Sequence, residues 1–338
     1  MVSGLPAALF VLQKKCIFMS SRLACLLLLC AGFFWGAGNV ANKTVLDHLG
    51  PLSVLCLRTL FAAALILPLT AFEQRRQDKP GWRKSAALVS VLLVFAMVFQ
   101  QVAYISTTVI NVSFLVNVAS ILTPLLAWAW LGQRPSARIF LAAAVTFVGA
   151  FLMAGQVSLL RPNAGDLFCL VSALFYGAWM VALGQHAVAF GRPMATCLLQ
   201  FFLTALVTGP CALLIEQPSI VQIRQALPEI AFIAIFPTSA GFLLQTTAQR
   251  YVSAPVAAVL VSTESLFGGA LAWLLLGEGL TPAGLVGCCL IFGGVMLAAT
   301  TNTPPAMPPM TLPPSRARPS KVPITKIPIT KIPVTLTG

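Results

Sequence analysis

Residues 126–132 read LAWAWLG and residues 271–277 read LAWLLLG, an offset of 145. The register continues beyond the pair: Gln133 corresponds to Glu278, Phe147 to Phe292 and Gly149 to Gly294. Nearer the start of each half, Phe34-Trp35-Gly36-Ala37 corresponds to Phe175-Tyr176-Gly177-Ala178 at an offset of 141. The chain is therefore a duplication, and both copies are built from long apolar runs.

Of the 338 residues, 58% are apolar and 9% carry a charged side chain. A soluble domain spends about a quarter of its residues on charge, whereas a bilayer-crossing helix takes roughly 20 mostly apolar ones. This balance excludes a soluble enzyme, a nucleic-acid-binding domain and a disordered scaffold. Apolar runs between charge, Pro and Gly punctuation predict ten spans: 24–43, 51–72, 85–105, 108–131, 137–155, 167–185, 194–215, 229–249, 253–276 and 282–300. Each half holds five. With an odd number, the second copy enters the membrane from the opposite side, giving two inverted repeats about an axis in the membrane plane. Secondary transporters frequently use that arrangement. The expected fold class is thus all-α integral membrane, with ten transmembrane helices as two inverted five-helix repeats, 23–155 and 165–300. The longest connections, 73–84 and 216–228, are too short for an extramembrane domain, so the activity belongs in the bilayer.

The net charge is +13, and its distribution sets an orientation. With a cytoplasmic N-terminus, 17 of the 21 Lys and Arg residues fall on the cytoplasmic side and 3 (Lys43, Arg161, Arg224) on the other, with Arg58 inside a span. Lys and Arg concentrate in cytoplasmic loops, so this predicts a multi-pass protein of the cell's inner membrane with both termini cytoplasmic. The N-terminal segment 1–22 has a basic stretch, but the apolar run after it continues to full spanning length with no small-residue cleavage site, unlike a signal peptide. Met19 is a candidate true start. The tail 301–338 carries ten of the 24 prolines and the repeat KVPIT–KIPIT–KIPVT over 321–335, a composition that forbids helix and reads as a disordered basic segment. Eight of the nine cysteines lie in apolar runs and read as small packing residues, Cys16 being the other.

The segment 245–297, QTTAQRYVSAPVAAVLVSTESLFGGALAWLLLGEGLTPAGLVGCCLIFGGVML, resembles the second EamA repeat of the drug/metabolite transporter superfamily. Its marks are a Gln and a Tyr ahead of a small-residue stretch, a Glu, the LAWLLLGE motif and a Gly-rich last helix. The first half is similar to it in Trp35-Gly36, LRTLFAAAL at 57–65 and TPLLAWAWLGQRPS at 123–136. Two positions depart from the pattern: Ser265 replaces the usual Pro after the Glu, and Gln133 replaces the Glu that commonly closes the first LAW motif. The resemblance, over about 22–300, implies an exporter of amino acids, other metabolites or drugs, proton-coupled or facilitative.

Two charged residues lie deep within the predicted spans, Arg58 and Glu264. A charge at the bilayer centre costs about 2.5–3.5 kcal/mol, so each needs a reason. Glu264 is eleven residues into its span, roughly 16 Å at the helical rise, and is the candidate proton-coupling group. Its alternative is a structural carboxyl bonded to a neighbouring helix. Arg58 is about 10 Å deep and reads as a snorkelling side chain, a partner of Glu264 or a binder of a substrate carboxylate. Its equivalent in the other half is Gln200. Candidates for lining a substrate cavity are Trp35 and Asn39 on span one, Asn111 and Asn117 on span four, Tyr176 and Trp179 on span six, and Gln245 on span eight. Each of these also has a bland reading as an interhelical bond or aromatic contact. Gly32-x-x-x-Gly36 and the pairs Gly268-Gly269 and Gly293-Gly294 read as close helix contacts.

An intramembrane enzyme is the alternative of another class, and the sequence argues against it. His48 and His186 fall at predicted loops, as do Asp47 and Asp78, with Asp166 at a span edge, so no catalytic pair is apparent. A channel lacks its charged ring. A sugar-phosphate or nucleotide-sugar exchanger of the same fold would want more cations in the cavity than Arg58. No cofactor or metal is expected, and the coupling ion, if any, is a proton. The expected partners are a small-molecule substrate and the lipid bilayer, with no nucleic acid; a homodimer is left open.

Overall fold

In hydrocarbon, a single apolar run can satisfy its own backbone N–H and C=O groups only as helix. All regular structure among the described residues is helical. The structure, a computed structural model, describes residues 20–73, 79–107, 109–132, 134–154, 163–276 and 281–301. The expectations made for residues 1–19, Gln133, Arg161, Glu278 and the proline-rich tail fall outside them.

The first half comprises spans Ser21–Val45, Pro51–Leu69, Trp82–Ala103, a fourth in two pieces (Val109–Val116 and Ala119–Leu131) and Ala137–Ala154. The second comprises Ala164–Phe190, Pro193–Cys211, an eighth running from Leu227 through Gly241 to Ala248, a ninth in two pieces (Ala254–Val261 and Thr263–Leu276) and Pro282–Ala299. Nine stretches are long and apolar enough to cross a bilayer, and span five, Ala137–Met153, is a shorter apolar helix. The ten-span, two-repeat architecture thus stands.

Span six exceeds its expected limits because both ends are defined chemically. Asn163 accepts from the Asp166 N–H at 2.9 Å while Asp166 accepts from the Asn163 N–H at 3.1 Å, a capping box. The helix runs on to Gly191, which takes the left-handed conformation (φ 59°) that glycine adopts without strain. His186, expected in a loop, is consequently buried on the last turns of this helix, with Ser85 Oγ and Thr196 Oγ1 each 2.9 Å from a ring nitrogen.

Lipid tails give apolar helices no hydrophobic reason to associate, so close packing of small residues carries much of the work. A Cβ at Gly36 would sit 2.6 Å from the Gly268 nitrogen and 2.7 Å from the Glu264 carbonyl oxygen, so spans one and nine touch backbone to backbone. Spans five and ten do the same, a Cβ at Gly149 falling 2.7 Å from the Gly287 carbonyl oxygen. Gly294 also abuts span five at Ala142 and Thr146, whereas Gly293, grouped with it on sequence, has open space beside it.

Spans two and seven are joined at both ends by a reciprocal device. Each begins with Pro (Pro51, Pro193) and contains a second one near its end (Pro68, Pro210), at an offset of 142. The carboxylate of Glu216, at the end of span seven, accepts from the N–H groups of Leu52 (2.8 Å) and Ser53 (2.7 Å) at the start of span two. Glu73, just past span two, accepts from Met194 (2.9 Å) and Ala195 (3.1 Å) at the start of span seven. The first N–H groups of a helix have no intrahelical partner and carry partial positive charge, so a carboxylate suits them. Each helix thereby supplies the other's N-terminal acceptor. Arg192 Nε lies 3.8 Å from Glu73, a cation that the Glu216 end lacks among the described residues.

Candidate functional site

The helix breaks locate the site. In span four the Asn117 N–H bonds the Phe114 carbonyl, three residues back, at 3.0 Å, and Ser120 N–H bonds Asn117 in the same way at 2.9 Å. Span nine repeats both steps at an offset of 145: Ser262 to Val259 at 3.3 Å and Ser265 to Ser262 at 3.2 Å. Non-helical backbone at membrane depth is tolerated where it is buried in protein or lines a cavity. Here it lines one, an opening of about 810 Å3 of empty space including its mouth.

Seven of the nine residues expected at the site line this cavity: Trp35, Asn39, Arg58, Asn117, Tyr176, Trp179 and Glu264. Most are fixed by bonds that cross between the halves. Asn39 Nδ2 donates to Glu264 Oε1 at 2.8 Å, tying span one to the first turn of the second piece of span nine. Asn117 donates to Ser265 Oγ. The Trp35 indole N–H donates to the Pro237 carbonyl at 2.8 Å, and the Tyr176 hydroxyl to Gln100 Oε1 at 2.7 Å. Trp35 and Tyr176 are repeat equivalents, so each half sends one aromatic side chain to the other's third helix. The Pro237 carbonyl belongs to a π-helical stretch, Ala234–Gly241, that widens span eight beside the cavity.

Trp35 and Trp179 do not stack on each other. Both pack on Phe242, at centroid distances of 5.2 and 5.5 Å, which makes a continuous aromatic wall. The two intramembrane charges line the same space without pairing, Arg58 and Glu264 forming no ion pair. Arg58 is not simply a snorkelling residue: its Nε is buried within the protein and has no hydrogen-bond partner.

Two expectations end differently. Gln245 does not line the cavity; it is fully buried, and its amide nitrogen turns along its own helix toward Gln249 Oε1, 3.4 Å away. Gln249 in turn donates to the Met180 carbonyl at 3.1 Å, so this pair packs span eight on span six. The Asn111 side chain lies outside the described residues. Sequence reading also missed Asn42, Gln101 and Tyr104, all on the cavity wall. The adjacent amides Gln100-Gln101, inside an otherwise apolar span, were the available signal.

The halves seen in geometry are matched by known proteins. A transporter of Archaeoglobus fulgidus named only as uncharacterized is 25% identical over 266 residues, covering 78% of this chain and 82% of its own length. The uncharacterized transporter YwfM of Bacillus subtilis is 23% identical over 283 residues, covering 82% of this chain and 94% of itself. A solved crystal structure superposes with a TM-score of 0.68 at 17% identity, over 81% of this chain and 96% of that one, and so shares the fold. The model of the EamA-like transporter family matches twice, over residues 22–155 and 163–300, once per half, and the chain therefore belongs to that family and is a membrane transporter.

Proposed function

We propose that the chain is a secondary exporter of a small amphipathic metabolite, such as an amino acid, or of a drug-like solute. It works by alternating access between its two inverted halves, in an inner membrane with both termini cytoplasmic, and Glu264 couples transport to the proton. The observation that carries this reading is the Asn39–Glu264 bond beside paired helix breaks in an aromatic-walled cavity. The carboxyl is attached to the opposite half by one hydrogen bond. Gaining or losing its proton changes what that bond is worth, which biases the relative position of the halves. Sparse amides among aromatic rings suit a solute with one polar end and an apolar body. Among the described lining residues Arg58 is the sole cation, which disfavours a phosphorylated sugar or nucleotide substrate.

The test is transport by the purified protein in proteoliposomes, screened first for solutes it moves under an imposed pH gradient. Glu264→Gln should abolish pH-driven uptake while retaining counterflow exchange. A variant whose proton dependence matches the wild type removes Glu264 from the coupling.

A further inference from the structure

Two pairs of equivalent positions that meet in the second half differ in the first, and the difference leaves a cation uncovered. In the second half, the Trp179 indole N–H donates to Gln200 Oε1 at 2.7 Å, and both side chains are fully buried. The repeat offsets place Gly38 where Trp179 stands and Arg58 where Gln200 stands. The first half therefore has no indole to occupy the polar group on its second helix. Nor is there room for one: a Cβ at Gly38 would lie 2.8 Å from the Pro237 ring.

Arg58 makes no ion pair or hydrogen bond with a described residue, and its Nε is buried. Glu264, the carboxylate that lines the same cavity, is held by Asn39 instead. A second donor without a partner lines the same cavity: Nε2 of Gln101, a side chain 1% exposed. A buried donor left unmade costs the desolvation of that group, and more when it is charged. Two such donors in one cavity ask for an acceptor that no described residue supplies.

We infer that Arg58, with Gln101 in the wall of the same cavity, is the subsite that binds a carboxylate of the transported solute. This rests on the transport reading above and narrows its substrate class to monocarboxylates, zwitterions included. The planar guanidinium fork matches the two oxygens of a carboxylate. A second negative charge finds no second cation among the lining residues and meets Glu264 instead. The buried Oδ1 of Asn42, an acceptor without a partner on the same wall, receives an N–H or O–H of the solute.

The experiment uses matched acids and amides as probes: phenylalanine and phenylalaninamide, leucine and leucinamide, 3-phenylpropionate and 3-phenylpropionamide. Each is scored by ligand-induced thermal shift of the full chain in detergent and by competition against proteoliposome transport. The wild type should favour at least one acid over its amide by about tenfold to a hundredfold, the range expected of hydrogen bonds to a charged group. In Arg58→Gln, which installs the residue of the equivalent position, that preference should collapse to near unity; Arg58→Lys should keep part of it. The unfolding temperature of each variant without ligand reports whether it is folded. Should acid and amide compete equally in the wild type, or the preference survive in Arg58→Gln, the carboxylate subsite is wrong while transport stands. Should no probe bind or compete in either form, and the solute screen also find nothing moved, the transport reading falls and takes this inference with it.

Discussion

Span six of the second half buries a tryptophan where span one of the first half has a glycine, and the rest of the site follows from that contrast. Trp179 fills its half, bonds Gln200 and packs on Phe242. Gly38 fills nothing and lets the Pro237 ring approach, leaving Arg58 open to the cavity. A duplicated fold gives two copies of every position, but a central site needs only one of them to be open. The second half provides packing at this level, and the first leaves a charged side chain lining the cavity. Where the copies remain alike, as at the paired helix breaks and the reciprocal Glu caps, the likeness marks what both halves need in order to fold.

The largest effect expected comes from erasing this contrast. Trp179→Gly copies the first half's residue into the second, deletes a fully buried indole and strands Gln200. Truncations of this size cost about 3–5 kcal/mol, so equilibrium unfolding in detergent should show a severe loss of stability. A near-neutral result would mean that the second half is not packed around Trp179.

Smaller, at about 1–3 kcal/mol, is the overpacking of Gly36→Ala. The added methyl meets the span-nine backbone at Glu264 and Gly268, so the Asn39–Glu264 bond beside it is disturbed as well. The variant should lose both thermal stability and pH-driven transport; full retention of both would show that spans one and nine have room to separate.

The smallest effects separate the two caps. Glu216→Gln and Glu73→Gln each retain one acceptor oxygen and lose the negative charge at a helix N-terminus, worth about 0.3–1 kcal/mol. Glu73→Gln should cost more, since it also releases Arg192, which otherwise retains only its other contacts, including the Trp82 ring 4.9 Å from its guanidinium carbon. Unfolding temperatures of the two variants compare them directly, and a larger loss for Glu216→Gln reverses the ranking.

Much of this architecture was legible in the residues. Apolar run length gave the ten spans, the LAW motifs, read at one offset, gave the two copies, and the odd number of spans in each gave their opposite sense. Rare polar residues in those runs pointed to seven of the nine cavity candidates, because a polar group in a transmembrane helix must face protein or a water-filled space. Rotation about the helix axis was not legible. Gln245 and Gln100 are repeat equivalents, yet Gln100 reaches the cavity wall while Gln245 turns to Gln249. The breaks at Asn117 and Ser262 were also invisible, since one step from i−4 to i−3 bonding changes neither hydropathy nor length.

By itself, then, the sequence determined the duplication, through its repeated motifs, and membrane residence and the number of crossings, which follow from the cost of exposing polar backbone and charge to hydrocarbon. Only the tertiary structure decided which of two equivalent polar groups is satisfied and which is left available. That choice depends on a neighbour from another span, a tryptophan in one copy and a glycine in the other, meeting its target across the packed interface of two helices.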